Sequence, residues 1–345
     1  MGRPFILPST DHPWNRRVFV QRSALGRTKL EVPIVGLGAG FVGIPTANRA
    51  AQEYDGKPGG MQDALGVAPV HQALEAGSTL LDPAPLYGAP RSETIIGKAL
   101  AARPDLAAKA TVTTKVGQLA GGQGTIHDYS YDAVMAHVEA SQERLGQETF
   151  DVLYIHDHMD IPMEDVMGQD RALGALRKLQ DQGTLKYVGT AANAPETNAA
   201  YIETGEFDAA VVPEAWSLLN QLAAEHILTA AENHNVGLVV ATPVERGLLA
   251  TGPTPGTDYL ARNFSQRCLD HVSNIQNLCE AHGIPMVAAA LQWCTRHPQV
   301  ATTVPGARTP EEARANAEAG ATHIPESFWT DLEPMIQHFE IGVDR

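Results

Sequence analysis

The chain has 345 residues, 43% of them hydrophobic and 19% charged, which is enough apolar material for a large packed core and excludes global disorder. The formal net charge of −15 disfavours nucleic acid or an anionic membrane as a partner. No run of 18 apolar residues occurs and residues 1–17 lack an apolar signal-peptide core, so we expect a cytoplasmic protein. The cysteines are too few and too scattered for a disulfide framework, and we expect buried helical thiols at Cys268, Cys279 and Cys294.

Three irregular pieces occur early in the chain. Residues 1–17 are polar and form an N-terminal extension. Residues 18–21 and 30–32 flank the turn-like Leu25-Gly26-Arg27-Thr28, which predicts a short β-hairpin that plugs one end of the fold. Residues 41–66 are rich in Gly and show no periodicity, so they are interpreted as a long insertion loop.

The remainder alternates short apolar runs with helical segments. The predicted strands are residues 34–37, 80–82, 110–114, 152–156, 187–190, 209–213, 236–241 and 300–304. The predicted helices are residues 67–76, 93–101, 131–145, 171–182, 195–203, 222–233, 285–296 and 310–319. Continuous apolar strands separated by helices are typical of a parallel sheet covered on both faces.

Eight strands in strict alternation with eight helices predict the α/β class and a (β/α)₈ TIM barrel, forming one domain over residues 1–345. Residues 246–282 make the connection between strands seven and eight unusually long and add an extra helix to it. A doubly wound sheet is the alternative, because the order of strands cannot be read from one sequence.

Polar side chains stand where three consecutive strands end. Strand two ends at Asp82 and is followed by Tyr87, strand three ends at Lys115, and strand four ends at His156. Catalytic groups of such barrels lie at the C-terminal ends of the strands, so these four side chains converge on one mouth. They supply a carboxylate, a phenol, an ammonium and an imidazole, which is equipment for acid–base catalysis.

The four residue types complement one another chemically. A phenol has an ordinary pKa of about 10 and exchanges protons near neutrality only if a buried cation stabilises its anion. Lys115 can be that cation, and Asp82 can pair with the otherwise costly buried ammonium. His156 can then bond the reacting oxygen. Taken singly, each residue also has an ordinary structural explanation, such as a helix cap or a satisfied core histidine.

Three further motifs carry no predicted chemistry. The run His156-Asp157-His158 lacks a third His or Cys at ligand spacing, so no metal site is predicted. The glycines of residues 36–40 are not followed by a helix and an acidic residue, so they indicate a turn rather than a Rossmann fingerprint. Residues 121–124 lack the Lys-Ser/Thr of a phosphate loop and are assigned to a mobile loop after strand three.

Several motifs together resemble the aldo-keto reductase superfamily, over about residues 25–319. They are Asp82-Pro-Ala-Pro-Leu-Tyr87-Gly88 with Ser92-Glu93, Thr114-Lys115, Leu153-Tyr-Ile-His156-Asp157, Gly247-Leu248-Leu249 and Pro305-Gly306-Ala307-Arg308. The resemblance implies a (β/α)₈ barrel that binds NAD(P)H without a Rossmann domain. It also implies that Tyr87 donates or accepts the proton and that Lys115 and Asp82 tune the acidity of Tyr87. His156 would orient the substrate oxygen.

The resemblance also implies positions that contact the cofactor. Trp216 matches an aromatic that stacks on the nicotinamide, and Glu214 matches a Gln that bonds its carboxamide. Asn193 follows strand five, where the sugar-dehydrogenase branch has a similar Asn, although it could instead be a simple helix cap before Pro195. The remaining implied contacts are Pro243, Gly247 and Leu248 along the pyrophosphate, and Gly306, Ala307, Arg308, Glu312 and Asn316 around the adenosine.

The adenosine end bears on the choice of cofactor. NADPH-specific members commonly carry Lys or Arg at the positions of Gly306 and Glu312, where this chain has no basic residue. A carboxylate repels a 2′-phosphate but can accept a hydrogen bond from a free 2′-hydroxyl. The resemblance therefore favours NAD over NADP. Arg308 is a signal in the opposite direction, because a cation there could bind the 2′-phosphate of NADP.

Within the superfamily the motifs look most like the D-threo-aldose (L-fucose) 1-dehydrogenase group, which includes pyridoxal 4-dehydrogenase. That branch implies oxidation of the hemiacetal hydroxyl of a cyclic aldose or of pyridoxal, a small-molecule substrate, to a lactone. Two alternatives stay open at this point: an NADPH-dependent aldehyde or ketone reductase, and a cofactor-binding regulatory subunit without catalysis. The oligomeric state is left open as well.

Overall fold

A computed structural model describes residues 20–44, 61–121, 124–257, 259, 262–340 and 342–343. The predicted extension at residues 1–17 lies outside the described residues, as do residues 45–60 of the predicted insertion. None of the helices within the described ranges is both long and apolar enough to cross a bilayer.

The strands of the described chain are mostly short. In chain order they are β1 (Arg22–Ala24), β2 (Glu31–Pro33), β3 (Leu37–Gly38), β4 (Leu80–Asp82), β5 (Thr111–Val112), β6 (Thr114–Val116), β7 (Gln118–Gly121), β8 (Gly124–His127), β9 (Phe150–His156), β10 (Leu185–Ala191), β11 (Ala209–Pro213), β12 (Gly237–Ala241), β13 (Arg262–Asn263), β14 (Val300–Val304) and β15 (Gly342–Val343).

The helices of the same ranges alternate with the barrel strands. They are α1 (Asp63–Glu75), α2 (Arg91–Ala102), α3 (Pro104–Ala107), α4 (Tyr131–Leu145), α5 (Glu164–Met167), α6 (Ala172–Asp181), α7 (Pro195–Glu203), α8 (Leu222–His234), α9 (Leu248–Thr251), α10 (Gln266–His282), α11 (Met286–Cys294), α12 (Pro310–Ala321) and α13 (Glu326–Leu332). Short 3₁₀ turns cover Glu245–Gly247 and Glu333–Met335.

Parallel pairing closes the barrel strands into a ring. One sheet has the order β14-β12-β11-β10-β9-β6 and another the order β3-β4-β5. Strands β5 and β6 flank Thr113 and form two halves of one barrel strand, whose first half pairs with β4 and whose second half pairs with β9. Parallel bridges Val35–Thr303 and Gly38–Gly306 join the β3 edge to the β14 edge. The predicted (β/α)₈ barrel is confirmed, and the doubly wound alternative is wrong.

Side chains alternate between the barrel interior and the helical layer, as the period of two in a strand requires. On β11, Ala209 and Val211 belong to the interior cluster that contains Tyr154. Their neighbours Ala210 and Val212 belong to a second cluster, packed against α8. Both faces of the strand are therefore apolar, which explains the continuous apolar runs in the sequence.

The hairpin β1–β2 closes the N-terminal end of the barrel, as predicted. The predicted turn at residues 25–28 is confirmed, and among the described residues the paired strands lie at 22–24 and 31–33, where 18–21 and 30–32 are predicted; residues 18 and 19 lie outside the described residues. Within the hairpin, Leu25 and Val32 are buried among the interior side chains, so these two positions fix its seating. Gly26 has φ +52°, and a Cβ there would lie 2.1 Å from the backbone nitrogen of Gly237.

Other elements both confirm and correct the sequence predictions. The extra helix between strands seven and eight is α10, and the cysteines are buried thiols on α10 and α11. Helix α1 begins at Asp63, inside the predicted insertion loop. After strand three, β7 and β8 form an antiparallel hairpin where a loop is predicted. Helix α13 was not predicted, since the family-like motifs end before it.

Candidate active site

The predicted catalytic side chains stand at the C-terminal mouth of the barrel. Asp82 is the last residue of β4, Lys115 lies on β6, and His156 is the last residue of β9. Tyr87 lies in the turn that links β4 to α2. Because these neighbouring strands are parallel, their C-terminal ends meet at one rim.

Lys115 and Asp82 form a buried ion pair. Lys115 Nζ lies 2.8 Å from Asp82 Oδ2, and the two side chains are 1% and 5% exposed. The ammonium also donates to the carbonyl oxygen of Pro83 at 2.9 Å. Burial of a charge is costly unless it is paired and hydrogen-bonded, and here the carboxylate and the carbonyl supply the partners.

A residue without a predicted role completes this pair. The Thr113 hydroxyl donates to Asp82 Oδ1 at 2.8 Å, so both carboxylate oxygens accept a hydrogen bond. Thr113 and Lys115 are two positions apart on one barrel strand and therefore face the same side. That alternation is the sequence signal that could have placed Thr113 in the site.

Tyr87 is half-buried beside the pair. Lys115 Nζ lies 4.8 Å from the centroid of the Tyr87 ring. The ring meets that of His156 edge to face, with centroids 5.9 Å apart and planes at 87°. The structure thus brings the four predicted side chains together around one point.

His156 is held neutral by its surroundings. Burial lowers the pKa of His156 well below 6.5, and the nearby Lys115, His158 and His127 lower it further. The Tyr129 hydroxyl donates to the carbonyl oxygen of His156 at 2.6 Å, which fixes the end of the strand. A neutral imidazole can donate one hydrogen bond to a substrate oxygen and adds no positive charge to the mouth.

The Ser92-Glu93 part of the motif supports the site from behind. Glu93 is fully buried and accepts hydrogen bonds from the Thr114 hydroxyl at 2.6 Å and from Arg144 Nε at 2.7 Å. Ser92 donates to the carbonyl oxygen of Ala39 at 2.9 Å. These contacts tie α2 and α4 to the strand that carries Lys115.

Asn193 lies beside the mouth and is bound to the residue that follows His156. Its backbone N–H and its side-chain amide donate to the two oxygens of Asp157, each at 3.1 Å. Gln118 donates to the same carboxylate at 3.3 Å. The N-cap of α7 is Ala194, so the alternative of a helix cap at Asn193 is wrong. Its contact with the cofactor stays a prediction.

Glu214 is engaged by two arginines. Its Oε1 pairs with Arg246 and its Oε2 with Arg262. Burial raises the pKa of Glu214, but the two guanidinium groups outweigh it and hold that pKa below the usual range. Both oxygens are engaged by arginines, although a carboxylate oxygen can accept more than one hydrogen bond. The contact of Glu214 with the carboxamide stays a prediction.

Trp216 lies in the outer layer of the barrel. Its indole stacks on Trp293 with centroids 4.7 Å apart, and its Nε1 donates to the carbonyl oxygen of Cys294 at 3.1 Å. It packs against the cluster formed by outward-facing strand residues and α8. The stacking of Trp216 on nicotinamide stays a prediction.

The predicted pyrophosphate contacts lie in the turn after β12. Pro243 and Leu248 are buried, so their backbone would make the contact. Gly247 has φ +100°, and within the described residues no atom lies within 4 Å of the place a Cβ would take. Open space above an exposed backbone is what close approach by a phosphate group needs.

The predicted adenosine contacts form one group at the start of α12. Glu312 accepts a hydrogen bond from the backbone N–H of Arg308 at 2.7 Å, and Asn316 donates to the carbonyl oxygen of Gly306 at 3.1 Å. Gly306 is exposed, whereas the next residue, Ala307, is buried. The open turn at Gly247 and the N-terminus of this twelve-residue helix fit a dinucleotide. Its contacts with the named residues stay predictions.

The comparisons with known proteins agree with this geometry. The Aldo/keto reductase family model matches residues 50–337. The pyridoxal 4-dehydrogenase of Microbacterium luteolum is 27% identical, with 90% of this chain and 96% of that protein covered. The D-threo-aldose 1-dehydrogenase of a Pseudomonas species is 28% identical, with 88% and 94% covered.

A solved structure shares the fold. The glycerol dehydrogenase of Gluconobacter oxydans superimposes with a TM-score of 0.73 at 24% identity, and 91% of this chain and 94% of that chain are covered. At this identity the likeness is evidence of the barrel alone. The family model, in contrast, spans most of the sequence and includes every residue of the buried Lys115–Asp82 site. The chain belongs to the aldo/keto reductase family.

Proposed function

We propose that this protein oxidises the hemiacetal hydroxyl of a cyclic aldose, or of pyridoxal, to a lactone with NAD as the preferred acceptor. The coarser description is that of an oxidoreductase of the aldo/keto reductase family, whose members use NAD(P)H. The observation that carries the proposal is the buried contact of 2.8 Å between Lys115 and Asp82, beside the rings of Tyr87 and His156.

Each residue of the site has a distinct task in this reaction. Tyr87, as the phenolate, takes the proton from the substrate hydroxyl while a carbonyl forms at that carbon. Lys115 stabilises the phenolate by its charge, and Asp82 holds the ammonium in place. Neutral His156 donates a hydrogen bond to the reacting oxygen and orients it. The carbon loses its hydrogen as a hydride, which a nicotinamide bound at the mouth would accept.

The substrate class is supported by similarity. The two relatives described above are named as dehydrogenases of pyridoxal and of D-threo-aldoses, and each aligns with most of this chain. Both names denote small molecules that carry an aldehyde masked as a hemiacetal. We infer that this chain acts on a substrate of the same kind.

The preference for NAD is supported by charge. Glu312 lies in the first turn of α12, and Gly306 offers no side chain. A carboxylate there disfavours the 2′-phosphate of NADP and can accept a hydrogen bond from the ribose hydroxyl of NAD. Arg308 argues against this preference, because a cation could bind the 2′-phosphate of NADP. Its Cζ lies 5.5 Å from the centroid of the Phe41 ring.

The test is a matrix of initial rates. NAD and NADP are each assayed against aldoses, pyridoxal and simple aldehydes, with reduction measured as well as oxidation. We expect the highest kcat/KM for NAD with an aldose or pyridoxal. Faster NADPH-dependent reduction of simple carbonyls would favour a reductase instead, and tight cofactor binding without turnover of any substrate would favour a regulatory subunit.

A further inference from the structure

The two ends of strand β11 each carry a carboxylate paired with arginine. Asp208 precedes the strand at the end plugged by the hairpin and lies 2.9 Å from Arg27. Glu214 follows the strand at the catalytic mouth and pairs with both Arg246 and Arg262. Of these two carboxylates, only Glu214 contacts the turn of residues 242–247, which is expected to hold the cofactor.

That turn has an unusual backbone. Thr242, Glu245 and Arg246 have φ of +62°, +46° and +55°, and Gly247 has +100°. L-residues rarely adopt positive φ, so a turn with three of them needs support from outside itself. The segment after β11 gives this support twice: Glu214 pairs with Arg246, and the Ser217 hydroxyl donates to Glu245 at 2.5 Å.

Arg262 connects the same carboxylate to a second segment. It lies on β13, which pairs with β15, and its side chain is only 4% exposed. Its Nε is buried and has no hydrogen-bond acceptor within the part of the chain that the structure describes. The ion pair with Glu214 compensates this buried charge, and Glu245 lies close enough to contribute.

We propose that Glu214 is a positioning residue for the nicotinamide cofactor, holding the turn of residues 242–247 in its binding conformation through Arg246 and anchoring that turn to β13 through Arg262. The inference rests on the proposed function and on the expected pyrophosphate contacts at Pro243, Gly247 and Leu248. A turn that is ordered in advance loses less freedom when the ligand binds. Loss of the carboxylate charge therefore weakens cofactor binding and leaves the chemistry at Tyr87 intact.

The experiment compares the wild-type protein with Glu214→Gln. The dissociation constant for NAD is measured by quenching of tryptophan fluorescence, and kcat is measured at saturating NAD. We expect the dissociation constant to rise by about 10- to 100-fold, as for the loss of a charged hydrogen bond. We expect kcat to stay within about threefold, which a general structural lesion would not produce. Hydrogen exchange on the cofactor-free protein should show faster exchange in residues 242–247.

Asp208→Asn is the matched control. Asp208 and Glu214 have similar exposure, 17% and 24%, and both pair with arginine, but they lie at opposite ends of β11. We expect the control to lower the thermal midpoint without changing the dissociation constant for NAD. If Glu214→Gln does not fold, Arg246→Gln removes the ion pair of Glu214 with Arg246 but keeps that with Arg262, and should raise the dissociation constant by a smaller factor.

The outcomes separate this inference from the proposed function. If wild-type protein binds NAD and Glu214→Gln, or Arg246→Gln in its place, binds it equally well, the positioning role is wrong while the proposed function stands. A parallel fall of kcat, or an equal loss of binding in Asp208→Asn, also overturns the positioning role. If wild-type protein binds neither NAD nor NADP, the proposed function fails and the inference fails with it.

Discussion

At the scale of single residues, Lys115 and Asp82 depend on each other. The ammonium donates to Asp82 and to the carbonyl of Pro83, and the second carboxylate oxygen accepts from Thr113. Removal of one partner from a buried pair leaves an uncompensated charge, which costs about 3–5 kcal/mol. The pair is therefore a requirement of the fold as well as of the chemistry.

Substitution of Lys115 by Met tests its effect on Tyr87. The phenolate loses the cation whose Nζ lies 4.8 Å from the ring centroid, so its formation becomes less favourable. We expect the apparent pKa of the rising limb of oxidation to increase, so that activity moves to more alkaline pH. The measurement is kcat/KM as a function of pH.

The unpaired Asp82 complicates this variant, so Lys115→Met is compared with Lys115→Met/Asp82→Asn. The double variant removes the buried carboxylate charge and should recover stability while it keeps the shifted pH profile. A single variant that is stable and active with the pH profile of the wild type would show that Lys115 does not tune the phenol.

His158 links pH to stability. Its Nε2 lies 2.9 Å from the Thr190 hydroxyl and its ring packs on Tyr201, with centroids 3.9 Å apart. Burial lowers the pKa of His158 to about 4. His158 is therefore protonated below about pH 6.5 in the unfolded chain, but only below about pH 4 in the folded protein.

This proton linkage predicts a loss of stability in acid. As pH falls from 6.5 to 4, His158 should remove up to about 3 kcal/mol of the free energy of unfolding. His158→Phe keeps a ring against Tyr201 but cannot titrate, so its stability should fall less over that window. Urea unfolding at several pH values measures both curves, and parallel curves would contradict the assignment.

At the scale of elements, the start of α12 combines a helix cap with the expected adenosine site. The Thr309 hydroxyl accepts from the backbone N–H of Glu312 at 3.2 Å, while the Glu312 carboxylate accepts from the backbone N–H of Arg308. Glu312 therefore has a structural task in addition to its predicted influence on cofactor choice.

Substitution of Glu312 by Arg tests that influence. It removes a carboxylate near the expected 2′-phosphate and adds a cation, so we expect the ratio of kcat/KM for NADP over NAD to rise by about 10- to 150-fold. Loss of the hydrogen bond from the Arg308 N–H to the Glu312 carboxylate should cost about 0.5–1.5 kcal/mol of stability, while the cap by Thr309 remains. Initial rates with both cofactors give the ratio.

Two controls accompany this change. Glu312→Gln keeps an acceptor for the N–H of Arg308 without adding a cation, so its shift should be smaller. Arg308→Ala should weaken NADP more than NAD if the guanidinium faces the ribose. An unchanged ratio in Glu312→Arg, with equal weakening of both cofactors in Arg308→Ala, would contradict the placement of the ribose at this helix.

Elements with strong local signals could be predicted closely. Helix α4 has the predicted bounds because Ser130 caps its start and Gly146, with φ +65°, ends it. The hairpin β7–β8 was missed because its second strand is exposed throughout and carries no apolar alternation. The side taken by Trp216 and the ion pairs of Glu214 depend on long-range contacts with α11, the turn after β12 and β13, which no local pattern contains.

At the scale of the whole molecule, barrel closure depends on contacts between distant parts of the chain. Val35 bridges to Thr303, and the backbone N–H of Arg27 donates to the carbonyl of Asn235 at 2.7 Å. The sequence predicts a barrel from the count of alternating elements, whereas these pairings themselves cannot be read from it. Local patterns leave the order of the strands open, and the resemblance to the family decides between a barrel and a doubly wound sheet.

The seating of the hairpin plug can be tested with Gly26→Ala. A Cβ there would lie 2.1 Å from Gly237 N and 2.6 Å from Asn235 O, both backbone atoms, and φ is +52°. We expect the free energy of unfolding to fall by about 2–5 kcal/mol, from left-handed strain and overpacking together. Urea unfolding gives the change.

Gly183→Ala isolates the strain. Its φ is +77°, and among the described residues no atom lies within 4 Å of the added Cβ, so it should cost only about 1–2 kcal/mol. Equal losses in the two variants would mean that the hairpin is not packed closely against the strand that starts at Gly237.

In the proposed nicotinamide-dependent oxidation, Tyr87 takes the proton from the substrate. The most direct measurement is kcat of Tyr87→Phe with the best substrate of the wild type, together with the dissociation constant for NAD. We expect kcat to fall by about 10²–10⁴-fold, because the phenol oxygen that accepts the proton is lost, and NAD binding to stay nearly unchanged because the ring remains. Retention of more than about a tenth of wild-type kcat would contradict the account.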